Sequence, residues 1–82
     1  MITQNTNPQN LMKLAQKAVK ELRPGEQFIV KDLFRGFEWQ RIPVSYRARL
    51  GSMFLSYAVG LGSYELLVCG KTPQKQQIYE KK

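Results

Sequence analysis

The sequence contains no histidine and only one cysteine, Cys69. Histidine is the commonest general base and metal ligand in proteins, and a zinc site needs several cysteine or histidine ligands. The six carboxylates are scattered, without the close pair that glycosidases and two-metal enzymes use. Cys69 has no histidine to activate it, and its place at the end of the apolar run LLVC favours a core position. The sequence therefore predicts a protein that is not an enzyme and has no metal or cofactor.

Long apolar runs are also missing. No stretch approaches the ~18 apolar residues of a membrane span, and the N-terminus has no basic segment followed by an apolar one. A lone cysteine cannot form a disulfide within the chain, which is typical of a reducing compartment. These absences predict a cytoplasmic protein with neither a membrane nor a small-molecule substrate as its partner.

Acidic residues are few, since 13 Lys and Arg stand against 6 Asp and Glu and give a formal net charge of +7. Such an excess favours a polyanionic partner, most often nucleic acid. Many small soluble proteins are simply basic, so charge alone leaves both interpretations open. At 82 residues the chain has material for one small domain with one modest core.

The first part of the chain divides into a polar tail and an amphipathic helix. Residues 1–8 are poor in large apolar side chains and predict a disordered tail, with the folded domain over residues 9–82. Asn7 can cap a helix whose first position is Pro8. Apolar residues then recur at helical spacings, at Leu11, Leu14, Ala15, Ala18 and Leu22. The opposite face carries three lysines, which form either a solvated surface or a phosphate contact, at Lys13, Lys17 and Lys20.

The segment after the RPG turn predicts a short strand over residues 27–30 and about one helical turn over residues 31–34. The next stretch, RGFEWQRIP at 35–43, shows neither a helical nor a strand period and predicts a loop. We expect Trp39 to cover the following helix as a structural lid. The alternative is that this loop grips a ligand.

The strongest pattern follows Pro43 and predicts a long helix with a broad apolar stripe, formed by Tyr46, Leu50, Met53, Phe54, Tyr57, Ala58 and Leu61. Gly51 interrupts this helix at a cost of about 1 kcal/mol relative to alanine, which suggests that a neighbouring element approaches closely there. One outer flank carries Ala48, Leu55 and Val59, and this apolar line makes a protein contact plausible.

The C-terminal part predicts a β-hairpin, with strands at 64–69 and 76–79 and the turn sequence GKTPQK between them. Lys71 and Lys75 lie at its tip, as solvated residues or as phosphate contacts. The order of elements is that of an α+β winged helix-turn-helix domain, with three helices, a small antiparallel sheet and a C-terminal β-hairpin wing. In that architecture the third helix and the wing lie on the same side of the core.

Three stretches resemble a family of small proteins from phages and mobile elements of Gram-positive bacteria: LRPGEQFIVKDLFRGFEWQRIP, RLGSMF and GKTPQKQQIYEKK. The similarity spans residues 11–82 and implies a winged-helix fold. It also implies kinship with the small middle protein encoded beside a family A DNA polymerase and a helicase in staphylococcal cassette replication modules. There it is the accessory subunit of the polymerase in priming.

Two functions follow as hypotheses. The first is a non-catalytic accessory protein of a mobile-element replication module, which binds the DNA polymerase of the same element and helps it to hold DNA and prime synthesis. The alternative is a stand-alone winged-helix DNA-binding protein, such as a phage or plasmid regulator. We expect DNA, single-stranded or read through its backbone, to contact Arg41, Arg47, Arg49, Lys71 and Lys75. A protein partner is expected to contact Leu55, Val59 and Phe37.

Overall fold

The computed structural model describes residues 2–82. Over these residues the chain forms an α+β fold of three α-helices and one three-stranded antiparallel sheet. In chain order the elements are α1 (Pro8–Val19), β1 (Gln27–Phe28), a 3₁₀ helix (Val30–Leu33), α2 (Gly36–Arg41), α3 (Val44–Val59), β2 (Leu66–Lys71) and β3 (Gln77–Lys81). Within this described part, no helix is both long and apolar enough to cross a membrane.

Helix α1 begins at Pro8, as predicted, and the side chain of Asn7 caps it by accepting a hydrogen bond from the Asn10 amide at 2.8 Å. The helix ends at Val19, earlier than the predicted Leu22. The next three amides turn back onto carbonyls three residues earlier, which tightens the chain before the RPG turn. The predicted helix is therefore confirmed with a shorter C-terminus.

The buried face of α1 differs slightly from the predicted stripe. Leu11, Ala15, Met12 and Val19 are buried, whereas Leu14 is 42% exposed. The apolar spacing identified the helix, but Met12 and Val19 moved the centre of its buried face away from Leu14. Which edge of a broad apolar stripe is buried depends on the elements that pack against the helix.

The segment before α1 packs on the domain, which differs from the expectation of a disordered tail over residues 1–8. Ile2 is 3% exposed and belongs to the core. Its amide donates to Oε2 of Glu38 at 3.3 Å, and its carbonyl accepts from Nη1 of Arg41 at 3.0 Å. One large apolar side chain anchors this otherwise polar segment, because its burial outweighs the polar composition around it.

The prediction of a loop over residues 35–43 is wrong, since Gly36–Arg41 forms the short helix α2. The Trp39 amide donates to the Arg35 carbonyl at 2.9 Å, and the Ile42 amide donates to the Trp39 carbonyl at 3.1 Å. A six-residue helix is too short to show a period, and burial of Ile42 with packing of Trp39 stabilises it. Trp39 is partly buried against the core, as the structural interpretation expected.

Helix α3 follows the predicted phase over most of its length. Leu50, Phe54 and Ala58 are buried, and Tyr46, Met53 and Tyr57 pack partly buried against the same core. Leu61 lies beyond the end of α3 and is 88% exposed, so its predicted place in the stripe is wrong.

The sheet has the strand order β1-β3-β2, so that β3 is central. Phe28 and Val68 both pair with Tyr79, from opposite sides. The hairpin strands begin and end one or two residues later than predicted. Cys69, which was expected in the core, is only partly buried and lies outside the core cluster. An aromatic group joins the sheet to α3, since the ring centroids of Phe54 and Phe28 lie 4.9 Å and 5.6 Å from that of Tyr79.

Candidate nucleic-acid interface

A groove of about 520 Å³ lies between α3 and the β2–β3 hairpin, and residues 29–31 also line it. Its floor includes the buried Tyr79 and the partly buried Trp39. The volume is in the usual range for sites that take small ligands or a short stretch of a polymer. This groove is the place where the largest number of predicted contact residues meet.

One wall of the groove is a line of small and apolar residues along α3, formed by Val44, Ala48, Gly51, Ser52 and Leu55. Val44, Ala48, Gly51 and Leu55 follow one another at separations of four, three and four residues, and Ser52 is adjacent to Gly51, so all five share one side of the helix. Val44 is 75% exposed and Leu55 is 38% exposed. The wall is therefore apolar and open to solvent, on a side of α3 that the core does not use.

Four cationic side chains from three parts of the chain line the same groove: Lys31, Arg47, Lys71 and Lys75. No carboxylate is among the lining residues, and within residues 2–82 none of these four cations takes part in an ion pair. A phosphate entering the groove would therefore meet positive charge without competition from a neighbouring carboxylate. The sequence prediction had named three of these cations.

Arg47 is the most constrained of the four. Its guanidinium carbon lies 5.4 Å from the centroid of the Trp39 ring, and its Nη2 donates to the Gln40 carbonyl at 3.4 Å. Its Nε is buried and has no hydrogen-bond partner among the described residues. The tryptophan ring thus holds the cation in place at the groove.

The hairpin tip holds Lys71 and Lys75 on a hydrogen-bonded turn. The Lys75 amide donates to the Thr72 carbonyl at 2.8 Å, and the Thr72 amide donates to the Gln76 carbonyl at 2.9 Å. Lys75 has a φ of 67°, which brings the chain back sharply into β3. The side-chain amide of Gln77 also donates to the Gly70 carbonyl at 2.9 Å. Both lysines are therefore carried by a defined turn.

Arg41, Arg49 and Phe37 do not line the groove. The guanidinium of Arg41 donates to the Ile2 carbonyl and lies 5.1 Å from the centroid of the Phe37 ring. Arg41 therefore anchors the N-terminal segment on α2, and the Phe37 ring beside its guanidinium remains 53% exposed. Arg49 is exposed on a different side of α3. Their roles as DNA or protein contacts stay predictions.

The two apolar residues predicted to bind a protein partner are both exposed, but only Leu55 lines the groove. Val59 is 64% exposed and lies one turn further along the same side of α3. Leu61, just after the helix, is also exposed, but it lies beside Met53 and Tyr57 in a separate depression. The exposed apolar side of α3 thus runs from Leu55 inside the groove to Val59 at the end of the helix.

The carboxylate of Glu65, which has two ion-pair partners, lies away from the groove. Glu65 is 5% exposed and binds Lys20 at 2.7 Å and Lys81 at 3.5 Å. Burial by itself raises the pKa of the Glu65 carboxyl, but hydrogen bonds with Lys20 and Tyr64 and the charge of Lys81 outweigh it, so the pKa lies below the ordinary 4.5. The same hydrogen bond raises the pKa of Lys20. This cluster uses the lysine that follows α1 and one lysine of β3, and it involves none of the groove lysines.

The interpretation of Gly51 as a site where a neighbouring element approaches closely is wrong. A Cβ atom at this position would find no heavy atom within 4 Å. Gly51 instead leaves the groove wall open one turn after Arg47. Lys31 is the groove cation that the sequence prediction missed, because a single lysine in VKDLF has no feature that separates it from any solvated lysine.

Within residues 2–82, no group of three or more Cys, Asp or Glu side chains is placed to hold a metal ion. The prediction that the protein is not an enzyme stays a prediction, since neither the fold nor the groove tests it.

The chain matches no curated protein and no solved structure. A sequence model of the family described as Domain of unknown function (DUF1413) matches residues 13–81, which include α3, the hairpin and every residue that lines the groove. The match carries no information on a phage or mobile-element origin, which stays a prediction. The chain belongs to the family of the domain of unknown function DUF1413.

Proposed function

We propose that the protein is a nucleic-acid-binding domain that holds a phosphate backbone in the groove between α3 and the hairpin. The observation that carries this proposal is the convergence of Lys31, Arg47, Lys71 and Lys75 on one groove that no carboxylate lines. Cations placed in this way contribute most of the sequence-independent affinity for nucleic acid. The apolar wall of α3 offers few groups for reading base edges, so we expect weak sequence preference.

We further propose that the fold is a winged helix. The chain order and the strand order β1-β3-β2 support this, with α2 and α3 as the helix-turn-helix and the β2–β3 hairpin as the wing. In this interpretation the groove lies between the recognition helix and the wing. That position agrees with a nucleic-acid site.

The test compares two double variants that change the net charge equally. Lys71→Glu with Lys75→Glu reverses the hairpin tip, whereas Lys13→Glu with Lys17→Glu reverses two exposed lysines of α1. We expect the hairpin variant to remain folded, to lose most of its affinity for an oligonucleotide and to flatten the salt dependence by about 1.5 units in log–log slope. The α1 variant should keep most of its affinity. Equal losses in both variants would mean that net charge, and not the groove, attracts the nucleic acid.

A second candidate function is the replication accessory role that the family resemblance implies. The exposed apolar side of α3 at Leu55 and Val59 favours it, because a protein partner would cover it. An adaptor should bind DNA weakly alone and form a stable complex with its DNA polymerase. We expect Val59→Asp to abolish co-elution with that polymerase while leaving oligonucleotide binding unchanged. Normal co-elution of the folded variant would exclude this surface.

A further inference from the structure

We propose that the N-terminal segment, residues 2–7, acts on the groove from outside it, by holding α2 in the orientation that places Arg47, with Ile2 as the positioning residue. This inference rests on the proposed function and adds a determinant of affinity that does not line the groove. The segment precedes residues 13–81, which the family model matches, so the family pattern does not account for it.

Helix α2 depends on other parts of the chain for its orientation. It has 6 residues, and none of them is buried. A helix of this length is unstable in isolation, because few hydrogen bonds follow the first turn to offset the cost of forming it. Contacts with neighbouring segments must therefore fix where the side chains of α2 lie.

The N-terminal segment supplies such contacts through the backbone of one residue. Ile2 is 3% exposed and belongs to the core, and this burial fixes its backbone beside α2. The Ile2 amide donates to Oε2 of Glu38 at 3.3 Å, and Nη1 of Arg41 donates to the Ile2 carbonyl at 3.0 Å. Glu38 and Arg41 lie three positions apart and share one side of α2. Ile2 therefore holds two points of the helix against the core.

The two residues between these points hold a cation of the groove. The centroid of the Trp39 ring lies 5.4 Å from the guanidinium carbon of Arg47, and the Gln40 carbonyl accepts from Nη2 of Arg47 at 3.4 Å. Within residues 2–82 Arg47 takes part in no ion pair, so α2 supplies both contacts that hold its guanidinium. A rotation of this short helix would move both contacts together. The N-terminal segment thus acts on the groove through α2 and Arg47.

Glu38→Leu tests the inference because charge and position predict opposite results. Removal of a carboxylate raises the net charge, so charge alone predicts tighter binding of an oligonucleotide. Positioning predicts weaker binding, since leucine cannot accept the hydrogen bond of the Ile2 amide. We expect a loss of affinity of at least about threefold. Unchanged or higher affinity in the folded variant would overturn the inference.

Glu21→Leu is the matched control for this change of charge. Glu21 is exposed, lies after α1 and lines the same surface depression as Glu38, so its removal alters the local charge in the same way. We expect Glu21→Leu to bind the oligonucleotide at least as tightly as the wild type. A loss equal to that of Glu38→Leu would mean that the depression, and not the contact with Ile2, affects binding.

Ile2→Asn removes the apolar anchor, whereas Ile2→Val is the conservative variant that keeps it. We expect Ile2→Asn to bind at least about threefold more weakly and to flatten the log–log salt slope by about 0.7 to 0.9, the share of one phosphate contact. Ile2→Val should restore both. Val19→Ala is the control for general destabilisation, because Val19 is buried in the same core but lies on α1 and does not line the groove. Equal losses in Ile2→Asn and Val19→Ala, measured on folded proteins, would overturn the inference.

Trp39 provides a readout that needs no nucleic acid, since it is the only tryptophan of the chain and lies on α2. We expect the fluorescence emission of the free protein to shift in Ile2→Asn and Glu38→Leu and to stay unchanged in Val19→Ala. Unchanged emission in both N-terminal contact variants would show that α2 keeps its orientation without Ile2, which contradicts the inference. Should Ile2→Asn not fold, the Glu38→Leu variant decides.

The hairpin charge reversal separates this inference from the proposed function. If Ile2→Asn and Glu38→Leu bind normally while Lys71→Glu with Lys75→Glu does not, the proposed function stands and only the positioning role fails. If the hairpin variant also binds normally, the proposed function itself fails.

Discussion

Gly62 and Gly51 illustrate two opposite reasons for a glycine near the same helix. A Cβ atom on Gly62 would overlap the ring of Tyr57, and the Gly62 amide donates to the Tyr57 carbonyl at 2.8 Å. Gly62 is buried, so the ring fills the space that a side chain would need. Gly51 has open space instead. The first glycine is explained by packing within the fold, whereas packing within the protein does not explain the second.

Alanine substitutions separate these two roles. We expect Gly62→Ala to destabilise the fold by about 1–3 kcal/mol, because the partly buried Tyr57 ring must shift against Phe54. Gly51→Ala should stabilise it by about 0.5–1 kcal/mol, because alanine favours the helix and meets no clash. Both changes are measured by urea unfolding followed by circular dichroism. Destabilisation by Gly51→Ala would show that the space at position 51 is filled within the protein.

At the scale of elements, the length of each helix decided whether the sequence predicted it. Helices α1 and α3 have 12 and 16 residues, enough for an apolar period to identify them. Helix α2 has 6 residues and was missed, and the strand ends moved by about two residues because pairing with β3, and not local sequence, sets them. The sequence predicted Arg47, Lys71, Lys75 and Leu55 of the groove. The sequence could not show that Arg41 lies outside the groove. Helical periodicity identifies the side of a helix on which a residue lies, but not which part of the chain covers that side.

Glu65 links three elements, since it lies beside β2 and binds Lys20 after α1 and Lys81 at the end of β3. Its pKa is lower in the folded protein than the ordinary 4.5. The stabilisation is therefore complete above about pH 4.5 and is lost as the pH falls through the lower folded-state pKa. We expect the melting temperature to fall across this acid range, as measured by circular dichroism.

The matched variant is Glu65→Gln, which keeps the size of the side chain and removes its charge. It should lower the free energy of unfolding by about 1–3 kcal/mol at neutral pH, because two lysines lose a charged hydrogen-bond acceptor. Its stability should then vary less with pH between about 3 and 5 than that of the wild type. An identical acid profile in both proteins would assign the pH dependence to other carboxylates.

At the scale of the whole molecule, the net charge of +7 is unevenly distributed, because only some of the cationic side chains form ion pairs. Lys20 and Lys81 are bound to Glu65, and Arg35 lies 3.9 Å from Glu38. The cations of the groove are free of such partners among residues 2–82. Pairing elsewhere therefore concentrates the uncompensated charge on particular surfaces, and the groove is a concave one.

The salt dependence of binding measures how much of this charge a bound nucleic acid uses. On a single-stranded probe, four phosphate contacts predict a log–log slope of about −3, since each contact contributes about −0.7. The slope is obtained from Trp39 fluorescence titrations between about 50 mM and about 200 mM salt. A slope steeper than about −5 would require contacts beyond the groove, with the exposed lysines of α1 as the next candidates. A slope near zero would contradict phosphate binding altogether, because cations that neutralise phosphates must release counterions.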